Sequence, residues 1–358
     1  MKKLALCILS FMMFGSSFMV NILAMGNEKL FVNAEAVNVM EEFIYTNSQV
    51  DDMWNEMSIR DVDELYDGNL NFYGYVFDLA REGTIGYGIV VDSGVGYVVA
   101  EASPDEQSPY HQYSGFRKIY TTALNYYVQN TFTRSNQVIK VDDNTLLNLD
   151  DLQVKRMSFS TTASTRNVSS TYATTTRYLG NYSANFEFVT QKPNTKACIP
   201  ASFAMALIYW ENAGKIQIAF DGTNAEMKES LYNYMKNTGG SVAVSADTAE
   251  RGIENWTLAY CSDFYVTIEI DNFYPTASEF SNLTAQINNN NPTVVMFYDG
   301  VVVSGANHAT CMVGYRSSDT GSNYVIVSDP WETSANTKYI IWNTSNVYGY
   351  FIMEKHLF

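Results

Sequence analysis

Gln191-Lys-Pro-Asn-Thr-Lys-Ala-Cys198-Ile-Pro200-Ala-Ser-Phe-Ala-Met-Ala-Leu-Ile-Tyr-Trp210 is the stretch on which the reading of this chain turns. Proline has its φ preset for a helix and no N–H to leave unpaired, so it favours the first helical turn. Pro200 therefore puts Cys198 at the start of a helix that should run to Trp210 and stop before Gly214. Backbone N–H groups converge at such an end, and the helix dipole favours negative charge there. A thiol so placed ionises more easily and becomes a nucleophile near neutral pH. Ala201, Ala204 and Ala206 are small enough for the helix to pack closely into a core. The plainer alternative is that Cys198 is an inert buried thiol, the common fate of a free cysteine.

A second stretch bears on that choice. Gly305-Ala-Asn-His308-Ala-Thr-Cys-Met-Val-Gly-Tyr315 sets a histidine at the start of an apolar strand. The chain should turn around Asp319–Asn323 and return as Tyr324-Val-Ile-Val-Ser-Asp329-Pro-Trp331. A hairpin brings the start of one strand beside the end of the next, so Asp329 should lie near His308. A carboxylate there can fix the imidazole tautomer and stabilise its protonated form. The plainer alternatives are a structural histidine and a turn-capping aspartate before Pro330. Histidine is scarce: His111 lies in the other half of the chain and His356 close to the last residue, which leaves His308 as the partner for Cys198.

A Cys at a helix start, a His opening a strand, and an Asp-Pro after the next strand together resemble the papain superfamily of cysteine peptidases. More narrowly, residues 185–358 look like its bacteriocin-processing-peptidase-like branch, in which a Gln precedes the nucleophile and a His-strand-Gly-Tyr segment leads into Asp-Pro. The resemblance implies an α+β, papain-like fold, with the nucleophile's helix packed on an antiparallel sheet. It implies Cys198 as nucleophile, His308 as base, Asp329 as the residue that orients His308, and Gln191 as an oxyanion-hole donor beside the Cys198 backbone N–H. Such donors contribute about 3 kcal/mol to a transition state. Trp331 would shield the His–Asp bond from water, or simply fill core. The chain departs from the usual family pattern at Ile199, where Gly is common, and at Asn307, where Gly usually precedes the histidine. The streptopain group also lacks the Gly after its nucleophile.

Outward from these segments, helical patterns are expected at 224–236, 247–260 and 276–288. Strands are expected at Val294–Tyr298, Ala309–Tyr315, Tyr324–Ser328, Tyr339–Trp342 and Tyr350–Met353. Residues 158–180 read as a linker, because Ser and Thr dominate 158–176 and such a composition buries no core. It separates a domain at 181–358 from one at 37–157. In the latter, Val50, Met53, Trp54 and Met57 suggest a helix over 37–66. Tyr73–Leu79, Tyr87–Asp92 and Tyr97–Glu101 suggest an antiparallel meander, and Thr121–Gln129 a further helix. The meander, with its Phe-Asp-Leu and Gly-Tyr-Gly-Ile-Val-Val cores, more distantly resembles the propeptide of streptopain-like enzymes. That likeness implies a smaller α+β prodomain able to act as an intramolecular inhibitor. The alternative is a separate binding domain that stays attached.

Lys2 and Lys3 followed by an uncharged apolar run from Leu4 to Ala24 read as a secretory signal within residues 1–36, cleaved after Ala24 or Ala36. No later stretch is long and apolar enough to span a bilayer, so the mature chain should not be membrane-spanning. The net charge of −16 over 358 residues disfavours nucleic acid as a partner. Of the cysteines left after the signal, Cys198, Cys261 and Cys311, the last two border strand-like apolar sequence and should be buried thiols. No CxxC and no phosphate-binding glycine loop occurs, so neither metal nor cofactor is expected. The sum is a secreted cysteine peptidase with a peptide or protein substrate, made as a zymogen. The alternatives are an amidase or acyl-transferring enzyme on the same residues, or a non-catalytic secreted or envelope protein of the same fold.

Overall fold

In the computed structural model, residues 19–21, 31–132, 136–152, 174–193, 196–239, 246–261, 264–272, 277–298, 307–318, 322–343 and 347–357 are described. The apolar leader and the Ser/Thr-rich part of the linker lie largely outside them. Strands β1 (Met19–Asn21) and β2 (Phe31–Asn33) form a small antiparallel ladder. Helix α1 (Ala34–Ser48) begins where the Asn33 side chain accepts the Glu35 N–H at 2.9 Å, a regular N-cap. A single 3₁₀ turn (Asp52–Trp54) leads to β3 (Ser58–Tyr66), β4 (Phe72–Arg81), β5 (Thr84–Asp92), β6 (Tyr97–Ser103), β7 (Arg117–Thr122), β8 (Asn125–Gln129), β9 (Gln137–Lys140) and β10 (Leu146–Asn148).

Inside the stretch 158–180 expected to be linker, Thr174–Tyr178 form strand β11; after it come α2 (Tyr182–Asn185), α3 (Cys198–Asn212), α4 (Asn224–Gly239), α5 (Ala246–Tyr260), β12 (Phe264–Asn272) and α6 (Ala277–Asn288). The chain then runs through β13 (Thr293–Tyr298), β14 (Asn307–Ser318), β15 (Tyr324–Ser328), β16 (Lys338–Ile341) and β17 (Val347–Leu357). The architecture is mixed α+β, built on a multi-stranded sheet.

The four expected helices after residue 190 form within a few residues of their predicted limits, as do the five expected strands and the meander β4–β5–β6. Strand β12 was not foreseen. Two expectations in the first half fail. The helix predicted over 37–66 ends at Ser48, and its last third is strand β3. Met53, Trp54 and Met57 do not extend the helical face. They turn inward from the 3₁₀ turn and the segment after it, and Trp54 and Met57 are buried. Residues 121–129 are not a helix but the β7–β8 hairpin, pairing Arg117 with Gln129 and Tyr120 with Tyr126. Its turn places Leu124 at φ 62°. Alternation of Tyr126 and Val128 with Asn125 and Tyr127 suits a strand packed on both faces.

The described strands β3–β17 form one sheet of 15 strands that runs through both halves of the chain. The junction is β6 against β16, with Ala102 opposite Tyr339 and Glu101 opposite Ile340. Side chains reinforce it. Phe43 of α1 packs edge-on against Tyr324 and Tyr339, and the Arg316 guanidinium lies over the Phe43 ring at 5.0 Å. The Asp51 carboxylate accepts hydrogen bonds from the hydroxyls of both Tyr178 and Tyr339, each at 2.8 Å. No helix among the described residues is long and apolar enough to cross a membrane.

Candidate active site

Helix α3 is buried from Ile199 to Trp210, apolar on every face, as expected of a helix inside a core rather than upon it. It packs on β13 and β14 and against α4. The helix starts at Cys198, and the Ala201 N–H already donates to the Ala197 carbonyl at 2.9 Å. Cys198 is thus half-buried at the helix N-terminus, where Pro200 was expected to put it.

His308 and Asp329 come together through strand register. In the β14–β15 pair, Cys311 lies opposite Ser328, so His308 near the start of β14 sits beside Asp329 just past the end of β15. The His308 Nε2 and Asp329 Oδ1 are 2.7 Å apart. His308 also interacts with the Cys198 side chain, by hydrogen bond and by charge. The Trp331 ring stands edge-on to the imidazole, with centroids 6.2 Å apart. Asp329 is itself held firmly. Its Oδ1 accepts the Trp331 N–H at 3.0 Å, its Oδ2 accepts from Lys338 Nζ at 3.0 Å, and its own N–H donates to Asn336 Oδ1 at 2.9 Å.

These contacts set the ionisation of each group. Burial pushes the Cys198 thiol up, but the His308 hydrogen bond and charge, with the backbone amides of Ala309 and Ile199, more than offset it and leave the thiol below its ordinary value. Burial opposes charge on His308, yet the Asp329 charge and hydrogen bond and the Cys198 sulfur raise its pKa to about 10. Burial would raise Asp329, but Lys338 and His308 hold it well below the usual carboxylate range. The other two thiols behave oppositely. Burial pushes Cys261 up to about 12, with the Glu211 charge adding to the rise, and burial pushes Cys311 higher still. Both are free and buried, as expected.

Gln191 is fully buried. Its N–H donates to the Pro330 carbonyl at 2.8 Å, which ties its loop to the segment after Asp329. The buried Lys228 of α4 donates to the carbonyls of Gln191 and Lys192 at 3.3 and 3.2 Å. Thr190 Oγ1 donates to the Glu332 carbonyl at 2.6 Å. Sequence reasoning missed Lys338, Asn336 and Lys228. A signal existed for Lys338: a lone lysine opening the apolar run Tyr339-Ile-Ile-Trp342 is costly unless paired.

Residues 183–355 match the model of the Peptidase_C39 like family. This stretch is thus a Peptidase_C39-like domain, and the match suggests cysteine-peptidase activity. Among curated proteins, none matches the chain.

Proposed function

We propose that the chain is a secreted cysteine peptidase with a papain-like catalytic domain, made as a zymogen, that hydrolyses peptide bonds through a thioester. The observation that carries this reading is the hydrogen-bonded series Cys198–His308–Asp329, with Cys198 the one remaining thiol whose surroundings favour its anion. Cys198 Sγ attacks the carbonyl carbon of the substrate. The developing oxyanion is stabilised by the Cys198 N–H and the Gln191 side chain. The imidazolium of His308 gives its proton to the leaving amine, the C–N bond breaks, and a thioester remains. Neutral His308 then takes a proton from water, whose oxygen displaces the sulfur and releases the acid. Asp329 holds the ring's orientation and its charge throughout.

The zymogen part of the reading rests on what the N-terminal half touches. The Trp331 indole N–H donates to the Asp142 carbonyl at 3.1 Å. Asn125 Nδ2 and Thr122 Oγ1, at the β7–β8 turn, donate to the Tyr298 carbonyl at 2.7 and 3.1 Å. Tyr298 ends β13 opposite Asn307, the neighbour of His308. The N-terminal half therefore sits on both segments that border the reacting groups, which supports its role as an intramolecular cover.

The test is hydrolysis of a mixed peptide library by the exported protein, wild type against Cys198→Ala and His308→Ala, with chain length followed in parallel. The expected result is cleavage that both variants abolish, and a shortened chain in the wild type alone. Equal cleavage by wild type and Cys198→Ala would overturn the proposal.

A further inference from the structure

Lys338 is a lysine with 1% exposure, surrounded by three carboxylates. Its Nζ lies 3.0 Å from Asp329 Oδ2, 2.9 Å from Glu332 Oε1 and 3.4 Å from Glu106 Oε2. Two of these come from the segment that follows β15. The third, Glu106, comes from the N-terminal half, just after β6, and its side chain is only 14% exposed. A buried ammonium is stable only when its charge is matched, and each carboxylate needs the cation in turn. Asp329 accordingly has its two oxygens divided, Oδ1 to His308 and Oδ2 to Lys338. Such a division fixes the carboxylate plane, and with it the imidazole.

We propose that Lys338 is a positioning residue for the Asp329–His308 pair, and that Glu106 holds this lysine, so that the N-terminal half completes the charge system of the site. The proposal rests on the peptidase reading and deepens it. The N-terminal half then does more than cover the reacting groups: it sets the field under which they ionise. The charged and titratable groups facing the cluster are Tyr87 of β5, Asp105, Glu106, Asp142, Lys140 and Glu332. Among them, loss of water around the carboxyl drives Glu106 upward to about 8 against the pull of Lys338. Its negative charge therefore grows across the alkaline half of the working range.

Electrostatics gives the two partners distinct signatures. Removing a cation raises the pKa of every group that feels it, and removing an anion lowers it. Lys338→Met should raise the midpoints of both Cys198 and His308, each by roughly half a pH unit or more. Lys338→Arg, which keeps the charge and reaches the same carboxylates, should restore them. Glu106→Gln should lower the His308 midpoint, because Glu106 carries its charge where the imidazolium titrates.

The experiment is a pH titration of the full chain, reading Cys198 by the ultraviolet thiolate absorbance lost in Cys198→Ala. His308 is read by NMR of the ring protons, which is simple in a chain with three histidines. Circular dichroism checks that each variant is folded. If Lys338→Met fails to fold, Glu106→Gln alone decides. Shifts of opposite sign in His308 for the two variants, or the downward shift in Glu106→Gln alone, are the expected result. Unmoved midpoints in a folded Glu106→Gln would overturn the proposal while leaving the peptidase reading intact. Absence of any thiolate signal in the wild type would overturn both.

Discussion

At the scale of single residues, the described thiols Cys198, Cys261 and Cys311 differ most in their neighbours. Cys261 and Cys311 pay for burial with nothing in return, whereas Cys198 meets an imidazole and two backbone N–H groups. In the proposed mechanism the active form is the pair of thiolate and imidazolium, which exists between the two ionisations. Falling pH protonates Cys198 and ends it on the acid side. Rising pH removes the His308 proton and ends it near pH 10. A bell-shaped kcat/KM profile with its alkaline limb near that value is expected. Asp329→Asn should lower kcat/KM by about 10²-fold or more and move the alkaline limb to lower pH, because the anion that raises His308 is gone. An unchanged alkaline limb in that variant would contradict the assignment. The three residues of the proposed catalytic series were singled out in sequence because each is bracketed by a local signal: Pro200 after the cysteine, an apolar strand after His308, Pro330 after Asp329. The pairing of Lys338 with Glu106 was not, since the two lie more than two hundred positions apart and no local pattern links them.

At the scale of elements, the nucleophile's helix and its strands depend on how closely neighbours approach. Helix α5 crosses α4 at Gly252, where a Cβ would lie 2.5 Å from Met235 Cα and 2.8 Å from its backbone N. Backbone cannot swing aside as a side-chain tip can, so the contact needs glycine. Gly252→Val should therefore cost about 2 kcal/mol of stability by chemical denaturation. Because α4 carries Lys228 onto the Gln191 and Lys192 carbonyls, it should also slow turnover. A variant as stable as wild type would contradict the packing. The sequence predicted these helices well because their apolar residues recur at helical spacing. It misread 58–66 and 121–129 for a physical reason. Strand β8 is buried along its whole length, so polar and apolar residues do not alternate there, whereas in β3 only Val62 and Leu65 are buried, a three-residue spacing that reads as helical; Leu124 adopts a left-handed turn at a position that is neither Gly nor Asn.

At the scale of the whole molecule, the two halves share a sheet edge, an aromatic core and a charge cluster. Sequence composition suggested a linker over 158–180, of which 174–178 is strand β11, and gave no sign of this sharing, because strand pairing between distant segments leaves no local trace. The junction carries acids that fold more readily when protonated. Loss of water around the carboxyls raises Asp142 to about 7 and Glu106 to about 8. A carboxyl raised on folding contributes stability that is complete below its ordinary value and is lost as pH rises through the folded one. His308, raised from 6.5 to about 10, adds to the same trend at higher pH. The melting temperature of the full chain should therefore fall from the ordinary carboxylate range to above pH 8. Asp142→Asn, a neutral mimic of the protonated acid, should flatten part of that fall. An identical slope in wild type and variant would contradict the sign derived for Asp142.

The claim on which all three scales converge is that the Cys198 sulfur, as its anion beside His308, is the attacking atom. Its most direct test is to treat the purified protein with a thiol-directed epoxide and locate the adduct by peptide mass spectrometry. Modification of Cys198, lost when His308 is replaced by alanine and absent from Cys261 and Cys311, is the predicted result. An adduct on Cys261 or Cys311 with Cys198 untouched would contradict it.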